Sequence, residues 1–352
     1  MRSAFLSLHP DVQNCGPGRD AMPYVEALGA KLHVEECGQG YPIIFIHEFA
    51  SDMRGWESQI RQFSRGYRCI TYNARGYPPS EVPEDAASYS WQFAADDIDA
   101  VMWGLKIKRA HLVGSSMGGY AALQFELRYP GKASAIVAAG VGSGSPPSQR
   151  DAWLRETSVL SRIFLDHGMG SMAERMARGP ARIQLKYKDP DCWREFVARL
   201  RQHSALGMSN TMAHCQAPRP SLHDLRDQLS QITVPVLLAV GDEDVRCLDT
   251  NLMLKSALPN AGLWICPNTG HAINLEEPAA FNAEIQDFLS AVECGSWRRG
   301  FPKINIGSSR KRDGGLCRDS SLVIVDLDTS RPGVVDCTTH HGSLDASREV
   351  RS

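Results

Sequence analysis

The sequence predicts an α/β protein with a doubly wound, mostly parallel β-sheet. Short apolar runs alternate with longer amphipathic runs along most of the chain, as expected for strands joined by helices. Several of the short runs, such as 234–240, are apolar throughout, which indicates strands covered by helices on both faces. A hydrophobic content of 43% is sufficient for the large core that such a sheet requires.

The individual elements follow from these runs in chain order. Residues 24–36 are predicted to form an antiparallel hairpin at one edge of the sheet. The other strands are predicted at 43–47, 69–73, 110–114, 135–139, 234–240 and 263–266. Helices are predicted at 53–64, 91–105, 117–129, 246–257 and 278–292.

One long segment without strand patterns interrupts this alternation. It spans 142–231, begins with the Gly/Ser/Pro-rich run GSGSPPSQ and continues with helical patterns rich in Arg, Met and Trp. A helical insert at this place would lie over the carboxyl ends of the strands, where such sheets bind ligands. We therefore expect a helical cap at 142–231 on an α/β core composed of 24–141 and 232–293.

The two ends of the chain carry no diagnostic pattern. Residues 1–23 are interpreted as an N-terminal extension. Residues 294–352 are turn-rich and charged, and Trp297 and Phe301 are their only aromatic residues. They predict a weakly ordered tail with one strand at 322–326.

Composition argues against several classes of partner. Lys and Arg number 38 and Asp and Glu 40, so the net charge of −2 provides no basic field for nucleic acid or anionic membranes. The ten cysteines show neither C-x-x-C pairs nor zinc-site spacing, which predicts reduced thiols. The apolar stretch before His9 is too short for a secretory signal, and no uncharged apolar run could span a bilayer. We expect a cytoplasmic protein with a small-molecule ligand, and nothing in the sequence indicates an oligomeric state.

The strongest chemical signal is Gly114-Ser115-Ser116-Met117-Gly118, which matches the pattern G-x-S-x-G. The motif follows one predicted strand and begins a predicted helix, which is the context that holds a nucleophilic serine on a sharp turn. The glycines let neighbouring backbones pass closely, and the helix N-terminus favours a developing negative charge. Ser116 is therefore the candidate nucleophile. A chance glycine-rich turn is the alternative, which the flanking strand and helix disfavour.

A serine nucleophile requires a base, and the base requires an acid that orients it. Of the 11 histidines, His271 is the best placed, in the loop between the predicted strand 263–266 and the helix 278–292. Asp242 and Asp244 both follow the predicted strand 234–240, although acidic residues at such places are commonly turn or capping residues. We choose Asp244 as the orienting acid.

With these residues assembled, the chain resembles the α/β-hydrolase family over 24–292. The resemblance is carried by three motifs, namely HEFASDMRGW, GSSMGGYAALQFELRYP, and VGDED followed by NTGHAINLEEPAAFNAEIQDFL. The chain order Ser116, Asp244, His271 is also that of the family. The resemblance is greatest to small cytosolic carboxylesterases, enol-lactonases and carbon–carbon bond hydrolases of ring-cleavage products. In these enzymes the segment equivalent to 142–231 is a helical cap over the site.

The resemblance further implies an oxyanion hole made by the backbone N–H groups of Met117 and Phe49. The family has glycine directly after the histidine equivalent to His47, whereas this chain has Glu48. Glu48 could point to solvent or hold the loop by hydrogen bonds, which we expect. Alternatively it faces the pocket as a proton donor or selectivity filter. His47, Glu48 and Ser115 are accordingly possible pocket residues.

The predicted reaction is hydrolysis of an ester or lactone bond in a small acyl substrate through an acyl-enzyme at Ser116. It requires no metal or organic cofactor. A serine nucleophile argues against epoxide hydrolase and haloalkane dehalogenase chemistry, which uses a carboxylate. Two alternatives stay open. A carbon–carbon bond hydrolase would need a cation near the pocket, such as Arg75 or an arginine of the insert, and a non-enzymatic ligand receptor could share the fold.

Overall fold

A computed structural model describes residues 24–297, which form an eight-stranded sheet between two layers of helices. The predicted α/β fold class is confirmed. The predicted N-terminal extension 1–23 lies outside the described residues. So do 298–352, which include most of the predicted tail and its strand at 322–326.

The sheet has the order β1-β2-β4-β3-β5-β6-β7-β8. β1 and β2 form the predicted antiparallel hairpin at one edge, β2 is also antiparallel to β4, and the other neighbours are parallel. The strands are β1 Tyr24–Ala27, β2 Ala30–Cys37, β3 Tyr41–Ile46, β4 Tyr67–Tyr72, β5 Ala110–Ser115, β6 Ala133–Ala139, β7 Val236–Gly241 and β8 Ala261–Cys266.

The five helices predicted with bounds begin and end within a few residues of the predicted positions. The predicted helix 53–64 is the main difference, because its first turn, Met53–Trp56, is a 3-10 helix that Asp52 caps. Outside the insert the helices are α1 Glu57–Phe63, α2 Trp91–Gly104, α3 Met117–Arg128, α9 Leu248–Ala257, α10 Ile273–Glu276 and α11 Pro278–Glu293. Within it they are α4 Pro147–Ala177, α5 Ile183–Lys188, α6 Pro190–Leu200, α7 Ala205–Asn210 and α8 Arg226–Leu229.

Two apolar layers cover the sheet, because successive side chains of a strand point to opposite faces. In β3, Ile44 and Ile46 pack with α2, α3 and α9, whereas Ile43 and Phe45 pack with α1 and α11. All four side chains are buried. Burial on both faces explains why the strands are apolar at consecutive positions.

The described segment 142–231 contains helices and a π-helical stretch, Thr211–Gln216, but no strand. Helix α4 is interrupted at Gly168, where φ is 67°. The helices form an apolar cluster of their own that also contacts Ala50, Tyr77 and Met117 of the sheet region. The segment therefore packs against the loops at the carboxyl ends of the strands, while its treatment as a separate domain stays a prediction.

Among residues 24–297, no helix combines the length and the apolarity needed to cross a membrane. The described cysteines agree only partly with the prediction of reduced thiols. Six of them are free, whereas Cys37 is disulfide-bonded, so the prediction is wrong at that position.

Arg75, which follows β4, has a structural role. Its guanidinium forms a buried ion pair with Asp97 of α2, at 2.6 Å between Nη2 and Oδ1, and also donates to the carbonyl of Leu28 at 3.0 Å. These contacts tie the turn after β4 to α2 and to the edge hairpin. Arg75 does not line the cavity described below, so it does not supply the cation that a ketoacid substrate would need.

We expect Asp97→Asn to lower the free energy of unfolding by about 3–5 kcal/mol, because it leaves the Arg75 charge buried without a carboxylate. Urea denaturation followed by circular dichroism measures the change. Asp96→Asn is the matched control, since Asp96 pairs with Arg128 on the partly exposed side of the same helix and its loss should cost about 0–1 kcal/mol. Equal losses in the two variants would contradict this account.

Candidate active site

The candidate nucleophile lies on a strained turn between β5 and α3. Ser116 has φ 50° and ψ −105°, a conformation that side-chain-bearing residues rarely adopt. Its N–H donates to the carbonyl of Ala139 at 2.7 Å, and its carbonyl accepts the N–H of Tyr120 at 2.9 Å. Both backbone groups of Ser116 are therefore fixed. Strain of this kind is typical of a serine held at the sharp strand-to-helix turn of G-x-S-x-G proteins.

The two outer glycines of the motif allow this turn by removing side chains from a backbone crossing. A Cβ atom at Gly118 would lie 2.1 Å from the carbonyl oxygen of Ile46, and one at Gly114 would lie 2.4 Å from the carbonyl carbon of Gly118. Real Cβ atoms essentially never approach so closely. The start of α3 is therefore in direct backbone contact with the end of β3, which brings the loop after β3 beside Ser116.

Asp244 and His271 meet at the carboxyl ends of β7 and β8. The Asp244 carboxylate accepts a hydrogen bond from Nδ1 of His271 at 2.7 Å, and both side chains are buried. Burial alone would lower the pKa of His271 and raise that of Asp244, but their mutual attraction outweighs it. The pKa of His271 consequently lies well above its usual value and that of Asp244 below it. Asp242 is exposed and accepts the N–H of Thr269, so its side chain joins the turn after β7 to the loop after β8.

Cys247 completes a cluster with this pair. Its Sγ lies 3.8 Å from Nδ1 of His271 and donates to the carbonyl of Gly140 at 3.3 Å, and burial raises its pKa. One ligand atom each from Asp244, Cys247 and His271 lie within 4.8 Å of one another, a spacing that a metal ion could use. A metal ion would require Cys247 as a thiolate. It would also compete for the Asp244 oxygen and the His271 nitrogen that are already hydrogen-bonded to each other. The arrangement fits a hydrogen-bonded cluster better than a metal centre.

His47 fixes the loop after β3. Its Nε2 accepts the N–H of Ala74 at 3.0 Å, so its proton is on Nδ1, which donates to the carbonyl of Glu48 at 2.8 Å. Burial lowers the pKa of His47, which keeps the ring neutral. The Glu48 carbonyl belongs to the same trans peptide as the N–H of Phe49, and the two groups point in opposite directions. The hydrogen bond to His47 therefore sets the direction of the predicted oxyanion donor.

A cavity of about 470 Å³ lies between these loops and the insert. Five predicted site residues line it: Glu48, Phe49, Ser116, Asp244 and His271. Its other walls are largely apolar and come from the insert, including Trp153, Leu160, Met172, Met176, Phe196 and Met212.

The remaining predicted site residues lie just outside this cavity. Met117 is the first residue of α3, where a backbone N–H has no acceptor within the helix and is available to a ligand. His47 and Ser115 line a separate cavity of about 10 Å³ behind the loop. The hydroxyl of Ser115 is buried, and no hydrogen-bond partner for it is found among residues 24–297. The catalytic and binding roles of all these residues stay predictions.

Glu48 does not point to solvent, and that part of the expectation is wrong. Its side chain is buried, lines the cavity and forms an ion pair with Arg182 of the insert. The loop is held by this charged contact to another part of the chain. The resemblance gave no reason to expect Arg182, because the family pattern has glycine at the position of its partner.

Arg219 also lines the cavity, and like Arg182 it was not singled out by the sequence analysis. It is 4% exposed, lies over the rings of Tyr120 and Trp153, and donates to the carbonyl of Ser143 at 2.8 Å. Within the described part of the chain no carboxylate forms an ion pair with it. Burial lowers its pKa. The insert contains many arginines, and no pattern distinguishes this one.

Comparisons with known proteins agree with the fold. The profile of the alpha/beta hydrolase family matches residues 43–284. The chain is 26% identical to a 2-hydroxy-6-oxo-6-phenylhexa-2,4-dienoate hydrolase from Burkholderia cepacia, over 74% of this chain and 91% of that protein. Two solved structures are similar. An enol-lactonase from Burkholderia xenovorans has a TM-score of 0.67 at 23% identity, with 76% and 100% of the chains covered. An esterase from Exiguobacterium antarcticum has a TM-score of 0.65 at 26% identity, with 77% and 98% covered.

The fold and the site define an α/β hydrolytic enzyme with its candidate chemistry at the carboxyl edge of the sheet. The profile match covers more than half of the chain, and the chain therefore belongs to the alpha/beta hydrolase family.

We expect Asp244→Asn to lower the pKa of His271, since the carboxylate that stabilises the imidazolium is lost while burial persists. NMR titration of the His271 ring protons measures the shift. Asp242→Asn is the control and should leave this titration unchanged, because the exposed Asp242 accepts backbone N–H groups of its own turn and of the loop after β8, whereas the His271 ring bonds to Asp244. An unchanged titration in Asp244→Asn would show that the contact between the two side chains is absent in solution.

Proposed function

We propose that this chain is a serine hydrolase that cleaves an ester or lactone bond of a small molecule through an acyl-enzyme at Ser116. The proposal rests chiefly on the strained turn that presents Ser116 to the same cavity wall as the hydrogen-bonded pair of Asp244 and His271. A nucleophile, a base and an orienting acid in one cavity are the requirements of this chemistry.

In the acylation step, His271 Nε2 accepts the proton of Ser116 as Oγ bonds to the acyl carbon. The carbonyl electrons move to the oxygen, and the N–H groups of Met117 and Phe49 stabilise the oxyanion. Donors placed in this way are worth about 3 kcal/mol each in serine hydrolases. His271 then gives its proton to the leaving alcohol as the carbon–oxygen bond breaks. Asp244 holds the ring and stabilises the imidazolium formed between the two transfers.

In the deacylation step, a water molecule replaces the alcohol. His271 removes one proton from it as its oxygen bonds to the acyl carbon, and the same two N–H groups hold the second oxyanion. Collapse of this intermediate releases the carboxylic acid and returns the proton to Ser116. When the substrate is a lactone, the leaving alcohol stays attached to the product as a hydroxy acid.

The cavity supports a small, partly apolar substrate. Its volume of about 470 Å³ lies within the usual range for small-molecule sites, and its walls include Trp153, Phe196 and several methionines. The similarity to an enol-lactonase and an esterase supports an acyl substrate.

A carbon–carbon bond hydrolase is the second candidate, and Arg219 is the observation that favours it. A buried guanidinium without a carboxylate partner is costly, and an anionic group of a ligand would compensate it. Ring-cleavage ketoacids carry such a carboxylate, and the relative from Burkholderia cepacia bears the name of a dienoate hydrolase. The same triad would serve both reactions.

We expect a fluorophosphonate probe to modify Ser116 alone, because the labelling reaction needs an activated serine and not a particular substrate. Mass mapping of the labelled peptide identifies the site. Ser116→Ala should abolish labelling and reduce the turnover of 4-nitrophenyl acetate and butyrate by at least about 1,000-fold.

Ser115→Ala is the control, since the neighbouring hydroxyl lies behind the loop, and it should keep both labelling and turnover. Modification of another serine would overturn the assignment. A wild-type protein that is neither labelled nor active, but binds a partner protein in a ligand-dependent manner, would favour a receptor.

We expect Arg219→Gln to reduce kcat/KM for 4-nitrophenyl monoadipate by about tenfold or more and to affect the neutral hexanoate ester far less, because a charged hydrogen bond contributes about 1.5–3 kcal/mol. The two esters are compared in steady-state assays at one pH. Arg246→Gln removes a cavity arginine that already pairs with Glu156, and should affect both esters alike. Equal losses on both esters in Arg219→Gln would argue against an anion subsite. Direct turnover of a ring-cleavage ketoacid distinguishes the second candidate from the first.

A further inference from the structure

One ion pair connects the loop after β3 with the insert. Oε2 of Glu48 accepts a hydrogen bond from Nη2 of Arg182, and the two side chains are 4% and 6% exposed. Arg182 lies between α4 and α5, over the ring of Phe196 at 5.6 Å from its centroid. The loop that carries the proposed oxyanion donor Phe49 is therefore held to the insert by a buried charge pair.

The same oxygen of Glu48 lies 3.8 Å from Nε2 of His271. Nδ1 of His271 is bonded to Asp244, so Nε2 is the nitrogen that must accept the proton of Ser116. A separation of 3.8 Å exceeds the N–H···O hydrogen-bond range, and a movement of about 1 Å would close it. An imidazolium bonded to a carboxylate on each side would be strongly stabilised and unable to act as a base.

We propose that Arg182 is a positioning residue that holds the Glu48 carboxylate and thereby keeps Nε2 of His271 free for the proton of Ser116. This inference rests on the proposed function. His271 is then available as a base only while the insert keeps Arg182 in place. Glu48, which replaces the family's glycine, thereby acquires a role.

Besides Glu48, the described titratable groups that contact His271 or the backbone beside it come from two segments. Asp244 and Cys247 follow β7 and contact Nδ1. Glu276, in the helix after His271, turns to the backbone and accepts the N–H of Gly270 at 2.6 Å. Arg182 also lowers the pKa of Asp244 and of Glu276, so the comparison includes Glu48→Gln, which leaves Arg182 in place.

Outside the insert, Glu48 has His47 and Tyr77 as titratable neighbours. Burial lowers the pKa of His47 and raises that of Tyr77, so both are neutral near pH 7. They contribute no charge that could replace Arg182 as the partner of Glu48.

The rate at which a fluorophosphonate labels Ser116, measured against pH, tests the proposal without a substrate. In this reaction the Oγ–P bond forms, fluoride leaves and the proton passes to His271, so the acidic limb reports the protonation of the base. Arg182→Gln leaves Glu48 unpaired and should raise the midpoint of this limb by about one unit. Glu48→Gln leaves the cation and should lower it by a similar amount. The double variant should return it close to the wild-type value.

Arg178→Gln provides the control, because it makes the same exchange in an exposed pair of the insert, with Glu174, and should leave the midpoint unchanged. Circular dichroism and thermal unfolding verify that each variant folds. A purely structural pair would weaken folding without moving the midpoint in opposite directions. Folded single variants that shift it in the same direction, or leave it unchanged, overturn the proposal.

A variant that does not fold and a wild-type protein that is not labelled lead to different conclusions. If Arg182→Gln does not fold, the pair is still tested by Glu48→Gln and the double variant, because the first must lower the midpoint and the second must restore it. If wild-type Ser116 is not labelled at any pH, the proposed function fails. If it is labelled and the midpoints do not separate, the role of Arg182 fails alone.

Discussion

The site depends on the close crossing of backbones at the carboxyl edge of the sheet. β3 and β5 are paired neighbours although β4 and two helices lie between them in the chain. Gly118 lets α3 begin directly against the carbonyl of Ile46, which any side chain at that position would prevent. The loop after β3 and the turn at Ser116 consequently share one small volume. Parallel pairing of β6, β7 and β8 then brings the loops of Asp244 and His271 to the same edge.

The insert contributes chemistry that the sheet region lacks. Its apolar side chains form most of the cavity wall. It also supplies two buried arginines, Arg182 and Arg219, whose positive charges are compensated in different ways. Arg182 has its charge compensated by Glu48, whereas Arg219 has aromatic faces and a backbone carbonyl as its partners. Because burial of a charge is expensive, this difference is informative. The first arginine fits a role within the protein and the second fits contact with a ligand.

The electrostatics of the cavity centre on His271. One carboxylate is bonded to its first ring nitrogen, and another lies 3.8 Å from the second. Such a ring would hold a proton firmly unless one carboxylate were engaged elsewhere, and Arg182 engages Glu48. If His271 is the base, as we propose, its protonation depends on residues from three separate parts of the chain. Its behaviour therefore cannot be assigned to any one of them.

Local periodicity and one contiguous motif were enough to predict the fold class, the positions of the strands to within a few residues and the turn at Ser116. The sequence also pointed to His271 and Asp244, although the order along the chain does not distinguish Asp244 from Asp242. The direction of Glu48 and its pairing with Arg182, 134 residues away, became visible only in the folded chain. A contact between two distant surface-type residues leaves no periodic signal, since it arises only when the insert folds over the edge of the sheet.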